Sequence, residues 1–242
     1  MSQTITFYIV RHGKTLMNTL ERVQGWCDSP LTAEGIEVAR DLGAGFRDID
    51  FGVVYTSDLR RTRQTAQLIL NEKGQGDMPI NEMEEFREAC FGSFESGANS
   101  RMWTDAALFL HFTKPEKMTE AIFKKEISSK EVLDAIKQLD TMGIAESFDQ
   151  LESRTHKGLR KVAELEYKKQ QDLNILLVAH GMSITAMLQN LGGRELQKYH
   201  LENAAVCKVI YKDGAFTVLS MGDMSYVKNG REIRDKYKTT LA

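Results

Sequence analysis

The sequence is poor in cysteine, with three residues, Cys27, Cys90 and Cys207, that are widely spaced and form no CxxC pair. A disulfide framework uses an even set of cysteines, and a structural zinc site uses closely paired thiols. This cysteine content therefore predicts neither kind of site. We expect the three side chains to act as small buried or half-buried thiols.

Long apolar runs and an excess of charge are also missing. The apolar run at 5–10 is too short for a signal peptide, and no stretch approaches the length of a membrane span. The 32 Lys and Arg residues nearly balance the 34 Asp and Glu residues, which leaves a net charge of −2. Such a charge provides no overall attraction for nucleic acid or for a membrane surface. We therefore expect neither as a partner, and a cytoplasmic location.

What the sequence does contain is hydrophobic periodicity of two kinds. Hydrophobic residues make up 42% of the 242 residues, which is enough for a core of one or two domains. Compact β-branched runs predict strands at 5–10, 52–55, 174–179, 204–211 and 215–220. Apolar residues three and four apart predict helices at about 33–47, 57–70, 148–169 and 181–191. Ser57 is predicted to cap the second of these helices.

The order of these elements predicts the fold class. Strands that alternate with helices, followed by an Asp-Gly hairpin at 212–214, predict an α/β three-layer sandwich. Its sheet is expected to be mostly parallel, with one antiparallel edge strand and helices on both faces. The helical segment at about 99–147, broken at Pro115, is expected to form a cap insertion over the carboxyl edge of the sheet. We expect residues 1–242 to form a single domain.

Three polar segments follow predicted strands: Arg11-His12-Gly13, the turn at 57–61, and His180-Gly181. Ligands of parallel sheets bind beyond the carboxyl ends of the strands, so we expect these segments to meet there. A bound anion would balance Arg11 and leave His12 neutral. A neutral imidazole is a good nucleophile toward phosphorus, and arginine binds phosphate oxygens bidentately. Gly13 would let the backbone approach closely.

These segments belong to an ordered series of motifs. Arg11-His12-Gly13 is followed by Asn18, Gln24-Gly25-Trp26, Ser-Asp-Leu-Arg-Arg at 57–61, Glu88 three residues before Phe91-Gly92, and His180-Gly181. In this order they resemble the histidine phosphatase superfamily, also called the phosphoglycerate mutase-like family. The resemblance covers about 5–98 and 148–220 and leaves 99–147 uncovered. It implies an enzyme that transfers phosphoryl groups without a metal.

The resemblance also implies a role for each matching residue. His12 would attack phosphorus and become a phosphohistidine. Arg11 and Arg61 would hold phosphate oxygens, and Asn18 would add a neutral donor near the phosphate. His180 would donate a hydrogen bond to the transferring group.

Glu88 is implied as the acid that protonates the leaving oxygen and then helps to activate water. Its choice rests on motif spacing, because other glutamates lie nearby, so a different glutamate remains an alternative. These are Glu82, Glu84, Glu85 and Glu95. A metal site on two histidines and a glutamate is not supported by any HxH or HxxxH spacing. We therefore predict no metal ligand and no cofactor.

Two branches of the family remain to be separated. Gln24 and Gly25 are expected to bind substrate, and Gly25-Trp26 resembles the mutase branch. Mutases clamp a substrate carboxylate with paired arginines and favour Asn after the second His-Gly, whereas this chain has Arg101 alone and Met182. We therefore expect hydrolysis of a small phosphorylated metabolite by a monomer or homodimer. A phosphoglycerate mutase, and a non-catalytic phosphate-ligand sensor or scaffold, are the alternatives.

Trp103 in the 99–147 segment is a candidate for lining the substrate pocket, with ordinary helix core as the alternative. We predict that Trp103→Ala raises KM for a phosphate ester without unfolding the protein. Steady-state assays on a panel of phosphate esters measure this effect. An unchanged KM across the panel would contradict the pocket role.

Overall fold

A computed structural model describes residues 3–191 and 201–240, and its centre is a six-stranded sheet. The strands are β1 (Ile5–Arg11), β2 (Val53–Thr56), β3 (Ile80–Glu82), β4 (Leu173–Ala179), β5 (Val206–Lys212) and β6 (Ala215–Asp223). They lie in the order β3-β2-β4-β1-β5-β6. The first four strands of this order are parallel, whereas β5 runs antiparallel to both β1 and β6. The predicted mostly parallel sheet with an antiparallel edge is confirmed, and the β5–β6 hairpin forms that edge.

Helices cover both faces of the sheet, as predicted. They are α1 (Leu16–Thr19), α2 (Ala33–Gly45), α3 (Arg60–Glu72), α4 (Asn99–Phe109), α5 (Pro115–Phe123), α6 (Ser129–Leu139), α7 (Phe148–Tyr167), α8 (Gly181–Leu188) and α9 (Ser225–Thr240). Leu42, Ile69 and Val227 pack α2, α3 and α9 against one face. Leu159 and Ile184 pack α7 and α8 against the other. None of the helices in the described part of the chain is both long and apolar enough to cross a membrane.

The segment 99–147 contains the three helices α4 to α6 and is interrupted before Pro115, which lies in the first turn of α5. These helices share a third apolar cluster that includes Met102, Met118 and Leu133. The same cluster includes Val23 and Phe91 from loops that follow the strands, and side chains of α7 and α8. The single-domain boundaries stay a prediction, in part because 192–200 lie outside the described residues.

The long helix α7 begins where the sequence predicts. Ser147 and Gln150 form a capping box, in which the serine hydroxyl accepts from the Gln150 amide and the glutamine side chain accepts from the Ser147 amide. Leu151, Leu159 and Val162 form its buried face. Leu159 and Val162 pack α7 against the sheet, Leu151 packs against the α4–α6 cluster, and the stripe fixes the direction of the other side chains of α7.

The β5–β6 hairpin turns at Asp213 and Gly214, as the Asp-Gly pair predicts. Both residues have positive φ, 49° and 83° respectively. A two-residue type I′ turn requires positive φ at both central positions, and Asp-Gly meets that requirement at little cost. The hairpin therefore follows from local sequence alone.

The helices α1 and α9 and the strand β3 were not predicted from the sequence, and the predicted N-cap of α3 is wrong. α1 and β3 are too short to show periodicity. The C-terminal helix α9 is mostly polar and is held to α2 by Arg231 and Arg234, which pair with the buried Asp41. Ser57 does not cap α3: the N-cap is Leu59, without a side-chain hydrogen bond, and the Ser57 hydroxyl bonds to His180 instead.

The close crossing of α2 and α9 provides a stability test. A Cβ added at Gly230 would lie 1.7 Å from the Asp41 carbonyl oxygen and 2.6 Å from the Gly45 nitrogen. A helical Gly→Ala change normally stabilises by about 0.5–1 kcal/mol. Here we expect Gly230→Ala to lower the free energy of unfolding by about 1–3 kcal/mol, because the helices must separate.

Urea unfolding measures this difference, and Asn229→Ala is the matched control. Asn229 is the preceding residue of α9 and is exposed. We expect no loss of stability in the control. A Gly230→Ala variant more stable than the parent chain would contradict the packing argument.

Candidate active site

The candidate site lies where three neighbouring parallel strands end. In the β1–β4 pairing Arg11 lies opposite Ala179, and in the β2–β4 pairing Thr56 lies opposite Val178. The chain leaves β1 toward the α2 face and β4 toward the α8 face, which opens a crevice between the two strands. The residues that follow the strands therefore lie close together: His12, Ser57 and His180.

His12 is a buried, neutral imidazole. The residue is 3% exposed, and Nδ1 lies 2.8 Å from the Gly13 carbonyl oxygen. Because a carbonyl only accepts, Nδ1 carries the proton and Nε2 carries the lone pair. Among the described residues, no hydrogen-bond partner occupies Nε2. Burial, with the charges of Arg61 and Arg11, holds the pKa of His12 well below its usual value of 6.5.

Arg11 provides a cation with an unused donor beside His12. Its Nη1 donates to the Leu201 carbonyl, and its buried Nε has no partner within 3–191 and 201–240. Gly181 lies so close that an added Cβ would be 3.4 Å from Nε. Burial lowers the pKa of Arg11, and the Glu88 carboxylate opposes this effect. The free N–H of Arg11 is therefore available to an anion in the crevice.

His180 is held in one tautomer by Arg61 and Ser57. Arg61 Nε donates to His180 Nδ1 over 3.1 Å, so Nδ1 is the unprotonated nitrogen. Burial and the charge of Arg61 hold the pKa of His180 well below its usual value, so the ring is neutral and Nε2–H donates to Ser57 Oγ over 2.8 Å. The His12 and His180 ring centroids are 5.2 Å apart. The predicted hydrogen bond from His180 to a transferring group would have to replace the bond to Ser57.

Arg61 is fully buried and mainly fixes the loop at 25–28. Nη1 donates to the Cys27 carbonyl (2.9 Å) and to Asp28 Oδ1 (3.0 Å), and Nη2 donates to the Gly25 carbonyl (2.7 Å). Together with the bond to His180, these contacts leave one Nη2–H of the guanidinium unassigned. The predicted role of Arg61 on phosphate oxygens is therefore limited to one donor in this arrangement.

Glu88 lies at the N-terminus of α8. Its Oε1 accepts from the backbone amides of Ala89 (3.0 Å) and Ser183 (2.8 Å), and its Oε2 accepts from that of Met182 (3.1 Å). A helix N-terminus favours a negative charge, so these amides orient the carboxylate. The side chain is buried, and its charge acts on Arg11. The predicted acid is thus brought beside Arg11, which adjoins His12 in the chain.

The other glutamates near this segment are occupied elsewhere. Glu82 pairs with Arg63, Glu84 with Arg87 and Glu85 with Lys161, all with at least one exposed partner. Glu95 accepts backbone amides of the 25–27 loop. The structure therefore favours Glu88 among the five candidates.

Asn18 and Gln24 are linked to the His12 loop through Thr15. Asn18 Oδ1 accepts from the Thr15 amide (3.1 Å), and Gln24 Oε1 accepts from the Thr15 hydroxyl (2.9 Å) and from that of Ser29 (2.7 Å). These bonds use the side-chain amide oxygens of Asn18 and Gln24 and do not involve their NH₂ groups. Gln24 Nε2 is buried without a partner among the described residues, which makes it a second unused donor.

Two glycines permit close backbone approach in the site. A Cβ at Gly13 would lie 2.8 Å from the Gly35 carbonyl oxygen, and one at Gly25 would lie 2.1 Å from that of Ala89. At Gly13 the close neighbour is the backbone of α2, and the approach of Gly13 to a bound anion stays a prediction. Trp103 instead lies half-buried against the cap cluster, and its role in binding substrate stays a prediction.

Sequence reasoning missed several residues that shape the site. Asn203 Nδ2 donates to the His12 carbonyl over 2.9 Å, and no motif marked it. Glu95 holds the 25–27 loop, and Arg154 binds the loop of Glu88, although both looked like ordinary surface charges in the sequence. Within the described ranges, no group of three or more His, Cys, Asp or Glu side chains could hold a metal ion.

The family model of the histidine phosphatase superfamily (branch 1) matches residues 7–118 and 110–224. The chain belongs to this superfamily. Its members are enzymes, either phosphatases or mutases. The resemblance drawn from the motif series is therefore confirmed.

Some relatives of this superfamily member are named as phosphatases and others as mutases. It is 30% identical over 207 residues to the uncharacterized phosphatase PhoE of Bacillus subtilis, covering 85% of this chain and 88% of PhoE. It is 26% identical over 228 residues to the probable phosphoglycerate mutase GpmB of Salmonella arizonae, covering 91% and 94%. A crystal structure of phosphoglycerate mutase from Bacillus anthracis str. Sterne matches with a TM-score of 0.88 and 38% identity, covering 95% and 98%.

The neutral state of His12 should make the folded protein sensitive to acid. The unfolded chain takes up a proton on His12 below pH 6.5, whereas the folded chain does not. Stability is therefore present above this pH and is lost as pH falls, by up to about 1.4 kcal/mol per pH unit for this residue.

We expect the free energy of unfolding of His12→Asn to fall less steeply than that of the parent chain between about pH 6.5 and 5. Urea titrations at a series of pH values measure both slopes. Equal slopes would contradict a neutral, buried His12.

Proposed function

We propose that this protein is a metal-independent phosphomonoester hydrolase that forms a phosphohistidine on His12. The observation that carries the proposal is a buried, neutral imidazole on which the charge of Arg11 acts, while the Arg11 Nε has no hydrogen-bond partner among the described residues. A lone pair and a neighbouring unused cationic donor are what in-line attack on a phosphate dianion needs. The superfamily membership of the chain agrees with this chemistry.

In the first step, Nε2 of His12 bonds to phosphorus as the bond to the leaving oxygen breaks. Arg11, Asn18 and the remaining Nη2–H of Arg61 bind the phosphate oxygens. Glu88 acts as the general acid and gives a proton to the leaving oxygen. The Gly13 carbonyl, which already accepts from Nδ1, stabilises the positive charge that develops on the ring.

In the second step, water attacks phosphorus and the bond to Nε2 breaks. Glu88, now a carboxylate, takes the proton from the attacking water, which returns the acid to its starting state. The histidine is released as neutral imidazole, and inorganic phosphate leaves. Two easier displacements thus replace one difficult displacement.

The charges around the site favour hydrolysis over mutase activity. Arg87 is paired with Asp58 and stacks over the ring of Trp26. Arg101 is 81% exposed in its side chain and pairs with Asp105. Arg87 is therefore already engaged by a carboxylate, and Arg101 lies exposed on α4, so these two arginines do not form a paired carboxylate clamp, whereas a monoester needs only the phosphate subsite.

Phosphoglycerate mutase activity is the second candidate. It is favoured by the 38% identity to the Bacillus anthracis structure and by the likeness to GpmB. A mutase would use the same His12 chemistry but return the phosphoryl group to a substrate hydroxyl instead of to water. The two activities therefore differ in the acceptor and not in the nucleophile.

Other parts of the proposal rest on the sequence. A small phosphorylated metabolite is the proposed substrate, with Gln24, Gly25 and Trp103 on its leaving group. The phosphate dianion needs no metal ion or cofactor if Arg11 and its neighbours neutralise it. A cytoplasmic location, a monomeric or dimeric state and the absence of nucleic-acid or membrane partners stay predictions.

We expect the wild type to release inorganic phosphate from p-nitrophenyl phosphate and from alkyl phosphate esters, and His12→Ala to lose this activity by at least about 10³-fold. Phosphate release is measured at steady state. Rapid denaturation during turnover should trap an acid-labile phosphoryl group on His12, detectable by mass spectrometry.

Interconversion of 2- and 3-phosphoglycerate, assayed in parallel, separates the two candidates. Hydrolysis that outpaces interconversion supports the phosphatase. Interconversion without phosphate release would overturn it in favour of a mutase. Ligand binding with neither reaction would indicate a non-catalytic sensor.

A further inference from the structure

We propose that Arg154 on α7 is the positioning residue that aims Glu88 at the leaving oxygen. The proposal rests on the hydrolase function above and on Glu88 as its proton donor. Arg154 is not part of the motif series that identifies the family. It acts from a rigid helix on a loop that has little regular structure of its own.

Several backbone carbonyls of the loop that carries Glu88 accept hydrogen bonds from the guanidinium of Arg154. Arg154 Nη1 donates to the carbonyls of Glu84 (3.3 Å), Glu85 (3.0 Å) and Arg87 (3.0 Å). Its Nη2 donates to the carbonyl of Glu88 itself, over 3.2 Å. Carbonyl groups that are partly shielded from water need partners, and α7 provides them through a single side chain.

Arg154 is itself fixed by Glu146, which precedes α7. Arg154 Nε donates to Glu146 Oε1 (2.9 Å), and Nη2 donates to Glu146 Oε2 (2.7 Å), a bidentate pair. The same carboxylate accepts from the Cys90 amide over 3.0 Å, and the Glu146 amide donates to the Cys90 carbonyl over 3.0 Å. The loop is therefore held on both sides of Glu88, at 87–88 by Arg154 and at Cys90 by Glu146.

The contacts reach the backbone of Glu88 and not its carboxylate. The carboxylate is held by the amides of Ala89, Met182 and Ser183, so its position depends on the distance between the loop and α8. Arg154 fixes the position of the loop and therefore influences this distance. Displacing a reacting group by about 1 Å can cost about 10²-fold in rate.

A misplaced proton donor has a specific kinetic signature. Alkoxide is a poor leaving group and needs a proton as the P–O bond breaks, whereas p-nitrophenolate departs without one. Loss of positioning should therefore slow alkyl esters and spare p-nitrophenyl phosphate. General loss of structure would slow both kinds of ester equally.

The experiment compares Arg154→Lys with the wild type on p-nitrophenyl phosphate, phenyl phosphate and an alkyl phosphate. Lysine keeps the positive charge, which also acts on His180, but cannot reproduce the forked contacts. We expect kcat/KM to fall about 10- to 100-fold for the alkyl ester and to change little for p-nitrophenyl phosphate. Phenyl phosphate should lie between them.

Arg160→Lys is the matched control, because Arg160 lies on the same helix with an exposed side chain and pairs with Glu164. We expect it to behave as the wild type on all three esters. Thermal unfolding checks that both variants are folded. If Arg154→Lys does not fold, Glu146→Gln replaces it. This change weakens the Arg154–Glu146 pair and should produce the same dependence on the leaving group, with a smaller decrease in kcat/KM.

A uniform decrease across the three esters, or no decrease, would overturn the positioning role. Failure of the hydrolase proposal looks different, since the wild type would then release no phosphate from any of the esters. The two results are therefore distinguishable in one set of assays.

Discussion

The candidate site depends on the parallel register between β1 and β4. This pairing brings the residues after Arg11 and Ala179 together at the centre of the sheet. A slip of one residue would turn His12 toward the opposite face, because strand side chains alternate. The register is stabilised by apolar side chains on both faces, which pack against helices in two separate clusters. The position of the site residues at the strand ends therefore depends on the packing of an apolar core.

Two arginines, the fully buried Arg61 and the partly buried Arg154, organise the loops above this edge. Arg61 and Arg154 each donate to backbone carbonyls of a loop and to one carboxylate, Asp28 or Glu146. Removing an arginine from water costs several kcal/mol, and this cost is offset only when its N–H groups find acceptors. Loops without helices or strands therefore become ordered around these cations. Arg11 differs from both, since one of its buried N–H groups has no acceptor among the described residues.

Many of the strands and helices could be predicted from local sequence pattern. Compact apolar runs identified the long strands, and Asp213-Gly214 identified the hairpin by a requirement of its own backbone. The C-terminal helix α9 was missed because it is mostly polar, and part of what holds it is a set of ion pairs with Asp41 of α2. Ser57 was assigned to a helix cap, as local preference suggests, but its hydroxyl has a partner from the end of another strand.

The sequence by itself determined five of the six strands, the motif series, the family and the identity of the candidate nucleophile. Each of these depends on residues close together in the chain or on their order. Only the tertiary structure decided which glutamate faces α8, that the donors of His180 and Arg61 are largely engaged, and that Arg154 holds the Glu88 loop. Hydrogen bonds between residues far apart in sequence carry no local signature, because they depend on a geometry that exists only after the sheet and helices have packed.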